Sequence, residues 1–271
     1  MAVGHYENFP VASLVLPRKF RLPVSLIYRF AREADDFADE GEAPPELRLE
    51  RLESFRQELG KIERGEAPGI PWFASLAEAI QSHHLPVQPF YDLLSAFAQD
   101  VTTKRYSDHD AVLDYCRRSA NPVGRLLLAL YGAATPQNLA YSDAICSGLQ
   151  LVNFLQDVAI DYRMGRIYIP QCDLARFGVS EEQIAAGDTG GNWHALMAFE
   201  LARARNLLHS GAGLGRLLTG RIGLELRMIV AGGDRILTKI ACVQGDVFQR
   251  RPLLRWYDWP LLFARTLRRR D

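Results

Sequence analysis

Along almost the whole chain apolar residues recur at spacings of three and four, and the regular alternation of a half-buried strand is nearly absent. A chain patterned this way buries its apolar surface by stacking helices on helices. The spacing predicts helices over 23–40, 46–64, 72–83, 87–102, 108–131 and 136–164, the first of them opened by Pro23. A short helix follows, opened by the capping box "SEEQ" at Ser180 to Gln183 and closed by Gly187. Long helices are then expected over 193–209, 217–232 and 234–248. No repeat, linker or compositional shift divides the sequence, so one all-α domain over 1–271 is expected, too long for a simple four-helix bundle.

Two of these helices carry acids among core-forming residues. In "YRFAREADDFAD", Tyr28, Arg32, Asp35 and Asp39 fall on one helical face; in "QLVNFLQDVAID", Gln150, Asn153, Asp157 and Asp161 do the same. Each stripe ends in two Asp at i, i+4, a spacing at which like charges destabilise a helix. A lone pair of this kind usually marks a solvated face. Two pairs, with apolar flanks and with Arg or amide companions, point to a shared divalent cation. Mg²⁺ suits them because it takes hard oxygen ligands, keeps several waters and commonly pairs one or two carboxylates with substrate phosphates. Such a site would bind a diphosphate and stabilise its charge on departure, with Tyr28 and Arg32 reaching phosphate oxygens.

Carrying these residues, the chain resembles the squalene/phytoene synthase family, the trans head-to-head isoprenyl synthases, over nearly its whole length. "YRFAREADDFADE" is similar to the first aspartate-rich motif of that family, and "QLVNFLQDVAIDYRMGRIYIP" to the second with its trailing "GRxYxP". "YCRRSANPVG" matches a family helix in which a small residue and a Gly, here Ala120 and Gly124, open the isoprenoid tunnel. "HYENF" matches a His-x-x-x-Phe element, here His5 and Phe9. The resemblance implies an isoprenoid (terpenoid) synthase fold, helices around a central cavity. It implies Asp35, Asp39, Asp157 and Asp161 as Mg²⁺ ligands with Asn153 assisting. Tyr28, Arg32, Gln150 and Arg166 would hold diphosphate or line its site. Phe9, Tyr115, Phe154 and Tyr168 would line the cavity, their aromatic faces toward carbocations.

Departures from the family pattern narrow the reaction. Members that couple two prenyl diphosphates usually read "NxLRDVxED"; here Gln156 and Ile160 stand at the Arg and first acid positions. Asn8 replaces a Ser, Asn121-Pro122 enters the tunnel helix, and Gly233 stands where relatives often have Tyr. This set resembles the hydroxysqualene synthase subgroup of the hopanoid pathway, which ionises presqualene diphosphate and quenches the rearranged cation with water rather than hydride. Fewer charges at the second motif would suit one diphosphate rather than two. Asn8, Asn121 or space beside Gly233 would position the water, although Asn121-Pro122 also reads as a plain kink and Asn8 as a cap. Two other readings stay open: condensation of two farnesyl diphosphates, and a non-catalytic assembly or binding factor, against which the four retained Asp argue.

The remaining signals set limits. Lys+Arg and Asp+Glu both number 32, so net charge offers no argument for nucleic acid. "GAGLG" at Gly211 to Gly215 follows no strand pattern and lacks the full dinucleotide spacing, so a helix break and no NADPH are expected. Cys116, Cys146, Cys172 and Cys242 are scattered and fit a reducing cytoplasm; no signal peptide or membrane span is expected. The C-terminal "RWYDWPLLFARTLRRRD" reads either as a terminal helix packed on the domain or as a peripheral contact with an anionic membrane.

Overall fold

The computed structural model describes residues 17–39 and 43–268. They form fourteen helices: α1 (Arg18–Asp39), α2 (Pro45–Glu63), α3 (Pro71–His83), α4 (Gln88–Thr102), α5 (His109–Ser119), α6 (Asn121–Leu130), α7 (Pro136–Gln156), α8 (Val158–Arg163), α9 (Gln171–Phe177), α10 (Glu181–Ala186), α11 (Trp193–Ser210), α12 (Leu214–Leu217), α13 (Gly220–Cys242) and α14 (Asp258–Arg268). Among the described residues the single β feature is an isolated bridge between Arg105 and Ile167. The all-α expectation is borne out. His5, Asn8 and Phe9 lie outside the described residues.

Two apolar clusters build the core. The first gathers Phe30, Phe55, Phe73 and Phe90 from α1 to α4, with Leu126 and Leu130 of α6. The second gathers Val112 and Tyr115 of α5, Leu151 and Phe154 of α7, Trp193 and Leu208 of α11, and Leu237 of α13. Helix α4 serves both, Phe97 facing the first and Ala96 the second.

Of the differences from the sequence reading, which include the unexpected α9 and α12 and the end of α13 at Cys242 rather than 248, four have a clear local reason. Helix α1 begins at Arg18 and takes Pro23 into its interior. Pro23 cannot donate to the Lys19 carbonyl, so one bond of the helix is missing there, and Phe20, edge-on to Tyr131 at 4.7 Å between centroids, holds that extra turn in place. The expected helix over 108–131 is broken at Ala120 (φ −111°, ψ −47°), with Pro122 in the first turn of α6. The helix over 136–164 is broken at Asp157 itself (φ −109°, ψ 14°), with neither Gly nor Pro present. The bonds from Asp157 N–H to the Asn153 carbonyl and from Asp161 N–H to the Asp157 carbonyl survive at 2.9 Å, so the chain kinks there without unwinding.

The fourth difference runs the other way. Residues Gly232 and Gly233, expected to end a helix, lie inside α13. A Cβ on Gly233 would meet Leu149 Cδ2 at 2.8 Å and Leu208 Cδ2 at 2.9 Å, so this glycine serves close packing against α7 and α11. No room is left beside it for a quenching water. "GAGLG" is a helix break as expected, with Gly211 capping α11. "SEEQ" caps α10 through a bond from Gln183 N–H to Ser180 Oγ, while the Gln183 side chain donates onward to the Asp188 and Gly190 carbonyls.

Among the described residues helices α7 and α11 share the most extensive helix–helix contact, and Gly148 permits it: a Cβ there would lie 2.8 Å from the Leu208 backbone nitrogen and Cα. Backbone cannot step aside as a side chain can. Gly148→Ala is therefore expected to cost about 1–3 kcal/mol by overpacking, read as a thermal midpoint several degrees lower. An unchanged midpoint would mean that the two helices are not in such close contact.

Candidate active site

The two acid stripes belong to different halves of the core, Asp35 and Asp39 to α1 and Asp157 and Asp161 to the α7–α8 kink. The tail of the second motif joins them. Arg105 Nη1 donates to the Gly165 carbonyl at 2.6 Å. Backbone bonds from Ile167 to Lys104 (3.0 Å), from Gln171 to Tyr106 (2.9 Å) and from Cys172 to Ser107 (3.0 Å) zip residues 165–172 onto the segment after α4. This places Arg166, buried, between the stripes. Its guanidinium donates to both carboxylate oxygens of Asp39, one bond measuring 3.0 Å, and its Nη2 also reaches the Asp100 carbonyl at 3.3 Å. Its backbone N–H bonds the Asp161 carbonyl at 2.8 Å. Arg166 Nε is buried with no hydrogen-bond partner, a donor available to a ligand oxygen.

Three features of this centre were not anticipated. Asp100, 3% exposed, sits behind Arg166 and accepts the Tyr115 hydroxyl at 2.7 Å and the Tyr168 hydroxyl at 3.5 Å. The sequence did carry a signal: Asp100 continues the apolar stripe of Phe90, Leu93 and Phe97, where another apolar residue belongs. Arg251, far along the chain, grips Asp157 with two donors at 2.5 and 3.2 Å. Gln156 is fully buried and donates to the Pro252 carbonyl at 2.6 Å. The expected shortage of charge at the second motif is thus made good by Arg251, which no local pattern announces.

Electrostatics single out the acids whose burial is not offset by a close cation. Asp35 is pushed up to about 7 by burial and then by Asp39, Arg32 pulling the other way. Asp161 is pushed up to about 8 by burial and then by Asp157. Asp100 rises to about 6 through burial, restrained by Arg166. Burial opposes the charge on Arg166, but its bonds to Asp39 prevail and hold the guanidinium above its usual range.

The other expected residues divide. Tyr115, Phe154 and Tyr168 are brought together, Phe154 and Tyr168 stacked 3.7 Å apart and nearly parallel. They are buried against one another and against Tyr106 and do not wall an open chamber. Arg32 lies on the acid stripe, paired with Asp36 at 2.8 Å and Asp35 at 3.6 Å. Gln150 is half-buried, and Tyr28 and Asn153 are exposed, so the stripes line an open cleft and Asn153 does not face an enclosed cavity. Ala120 marks the α5–α6 break. Gly124 does not open a tunnel: the place of its Cβ is taken by Ser142 Oγ (2.3 Å) and Cys146 Sγ (2.7 Å), so it brings α6 against α7. Asn121 is buried and accepts the Ser147 hydroxyl at 2.9 Å.

Among the described residues no three His, Cys, Asp or Glu side chains converge on one metal position. The donor set fits Mg²⁺ held by one or two carboxylates at a time, with water and phosphate completing the shell. Asp35 and Asp161, whose ionisation is suppressed by burial and by a neighbouring acid, are the groups a cation would relieve.

Residues 2–258 match the squalene/phytoene synthase family. The chain belongs to that family. A hydroxysqualene synthase of Sinorhizobium fredii is 36% identical over 88% of this chain and 81% of its own. One from Rhodopseudomonas palustris is 38% identical over 85% and 78%. The crystal structure of squalene synthase HpnC from Alicyclobacillus acidocaldarius superposes with a TM-score of 0.82 at 36% identity, covering 89% of this chain and 90% of that one. The isoprenoid synthase fold expected from the motifs is borne out, as is the similarity to the hydroxysqualene synthase subgroup.

The acids give a prediction with a definite sign. Asp35 and Asp161 titrate in the folded protein above their ordinary value near 3.8. The native state then keeps protons that the unfolded chain has released, so stability falls as pH rises from about 5 to about 8. Mg²⁺ should offset that loss at pH 8 and do little at pH 5. Thermal unfolding with and without Mg²⁺ at both values checks this; equal effects at the two pH values would place the cation elsewhere.

Proposed function

We propose that this protein converts presqualene diphosphate and water into hydroxysqualene and diphosphate, with Mg²⁺ as its metal and no NADPH. The observation that carries the reading is the pair of facing Asp motifs clasped by Arg166, in a chain whose relatives include enzymes named hydroxysqualene synthase. It is a carbon–oxygen lyase reaction, run in one helical domain.

Asp35, Asp39, Asp157 and Asp161, with Asn153 near them, would hold Mg²⁺, whose contribution is to neutralise charge on the departing diphosphate. Arg166 supplies an N–H not used by the protein, and Arg32 and Arg251 lie beside the same acids. Tyr28 and Gln150, exposed and half-buried on the same stripes, would meet the diphosphate. As the carbon–oxygen bond breaks, both its electrons leave with the diphosphate and a cyclopropylcarbinyl cation remains. Tyr115 and Tyr168, both bonded to Asp100, bring their rings and that of Phe154 to this end of the site, and the closed stack would have to part for its electron-rich faces to meet the cation. After rearrangement, the water oxygen bonds to the cation and one proton is released. Hydride would yield a hydrocarbon; water yields the alcohol. Asn121 and Ser147 form a buried polar pair on α6 and α7, and on this reading the pair would hold that water.

The reading includes the cytoplasm as the site of action, which the free thiols Cys116, Cys146, Cys172 and Cys242 suit. It also includes peripheral contact with the inner face of the membrane. Among the described residues no helix is long and apolar enough to cross one.

Purified protein with Mg²⁺, given presqualene diphosphate or farnesyl diphosphate separately, should turn over the first to hydroxysqualene and leave the second unchanged. A C30 product from farnesyl diphosphate alone would contradict the assignment; inertness toward both would favour a binding role. Asp157→Asn should lower turnover on the order of a hundredfold or more while circular dichroism stays helical.

A further inference from the structure

In α14 apolar residues lie on both sides: Trp259 and Leu262 pack on the core, yet apolar residues also face outward. The inward side carries Asp258, Leu262 and Thr266, all buried. Asp258 accepts Arg235 Nε at 2.9 Å and the Arg255 N–H at 2.8 Å, and is also bonded by Lys239. The outward side presents Pro260, Leu261, Phe263 and Ala264 to solvent. The turn just before it holds Trp256 at 82% exposure and Tyr257 at 50%. An anchored helix that hides its acid and shows its aromatics has a surface awaiting a cover.

Charge identifies that cover. Between Asp246, which pairs with Arg250 at 3.9 Å, and Asp271, the one acid is Asp258, neutralised within the fold, against seven Arg. Around it stand Arg250 and Arg255, both exposed, and in sequence Arg265 and Arg268 to Arg270. Exposed Trp and Tyr beside a cluster of Arg suit the headgroup layer of an anionic bilayer, where the rings settle at the interface and the guanidinium groups meet phosphate. Position adds a third argument. Arg251 and Pro252, which open this segment, are bonded to Asp157 and Gln156 of the second acid motif. Trp256 lies five positions after Arg251, a reach of roughly 18 Å at most.

We propose that the Trp256–Tyr257 turn and the outward face of α14 dock on an anionic lipid bilayer, seating the acid-lined cleft beside the membrane surface. Docking needs no unfolding, because α14 stays fixed to α13 through Leu262 and Asp258. A C30 substrate and product would then pass between bilayer and cleft without crossing water. This motive rests on the function proposed above, whereas adsorption is measured without turnover and stands or falls separately.

The test uses the full chain and vesicles of phosphatidylcholine with or without phosphatidylglycerol. The protein should sediment with the anionic vesicles and much less with the neutral ones. Its tryptophan emission should shift to the blue and be quenched by brominated lipid. The triple variant Trp256→Ser, Tyr257→Ser, Phe263→Ser should lose roughly tenfold or more of the partition coefficient while keeping its circular dichroism and its turnover of detergent-dispersed substrate. Wild-type protein left in the supernatant with anionic vesicles would overturn the proposal. So would a variant that sediments as well as wild type, or a dimer in sedimentation velocity that the variant dissolves, which would put this face between two copies.

Discussion

The bond between Arg166 and Asp39 joins the two halves of the molecule at the point where chemistry is expected. Asp39 stands at the end of α1, whose other face fills the first apolar cluster; Arg166 stands on the tail of the second motif, zipped to the segment after α4. Both side chains are largely withdrawn from water, 8% and 12% exposed. Removing one partner of such a pair strands the other and typically costs about 3–5 kcal/mol. The pair therefore fixes how the two acid motifs face each other, and Asp100 behind it, held by Tyr115 and Tyr168, fixes Arg166.

A second consequence concerns charge. Protein cations already occupy one acid of each motif, Arg166 at Asp39 and Arg251 at Asp157. The other acid of each, Asp35 and Asp161, is pushed toward its protonated form by burial and by its Asp neighbour, which the more distant Arg32 and Arg166 do not outweigh. Such a centre is short of positive charge by an amount that small divalent cations can supply. The same two Arg could turn to the phosphate oxygens once metal takes over the carboxylates. On the proposed reading stability and function pull on the same residues: four acids facing one another serve the fold poorly and, with metal, would serve a departing diphosphate well.

Much of this was legible in the sequence because helical periodicity is a local signal. The acid stripes, the capping box at Ser180 and most helix limits could be read directly. What escaped reading is what depends on partners distant in the chain. Gly233 looks like a helix end, and only the nearness of Leu149 and Leu208 shows that it is a packing residue. Gly124 looks like a tunnel opening until Ser142 and Cys146 are seen against it. The kink at Asp157 carries no Gly or Pro, so nothing local marks it. Arg251 is one Arg in an Arg-rich tail and gains meaning only through Asp157, 94 residues away. Asp100 is the exception, an acid on an apolar stripe that could have been noticed and was passed over.

The central claim is that the two Asp motifs form one cation and diphosphate site across the boundary between the core clusters. Crystals soaked with Mn²⁺ and inorganic diphosphate test it through anomalous scattering. The account predicts manganese beside Asp35 and Asp39 and beside Asp157 and Asp161, with diphosphate between them and within reach of Arg166. Manganese bound away from these carboxylates, or at one motif with no bridging diphosphate, would contradict it.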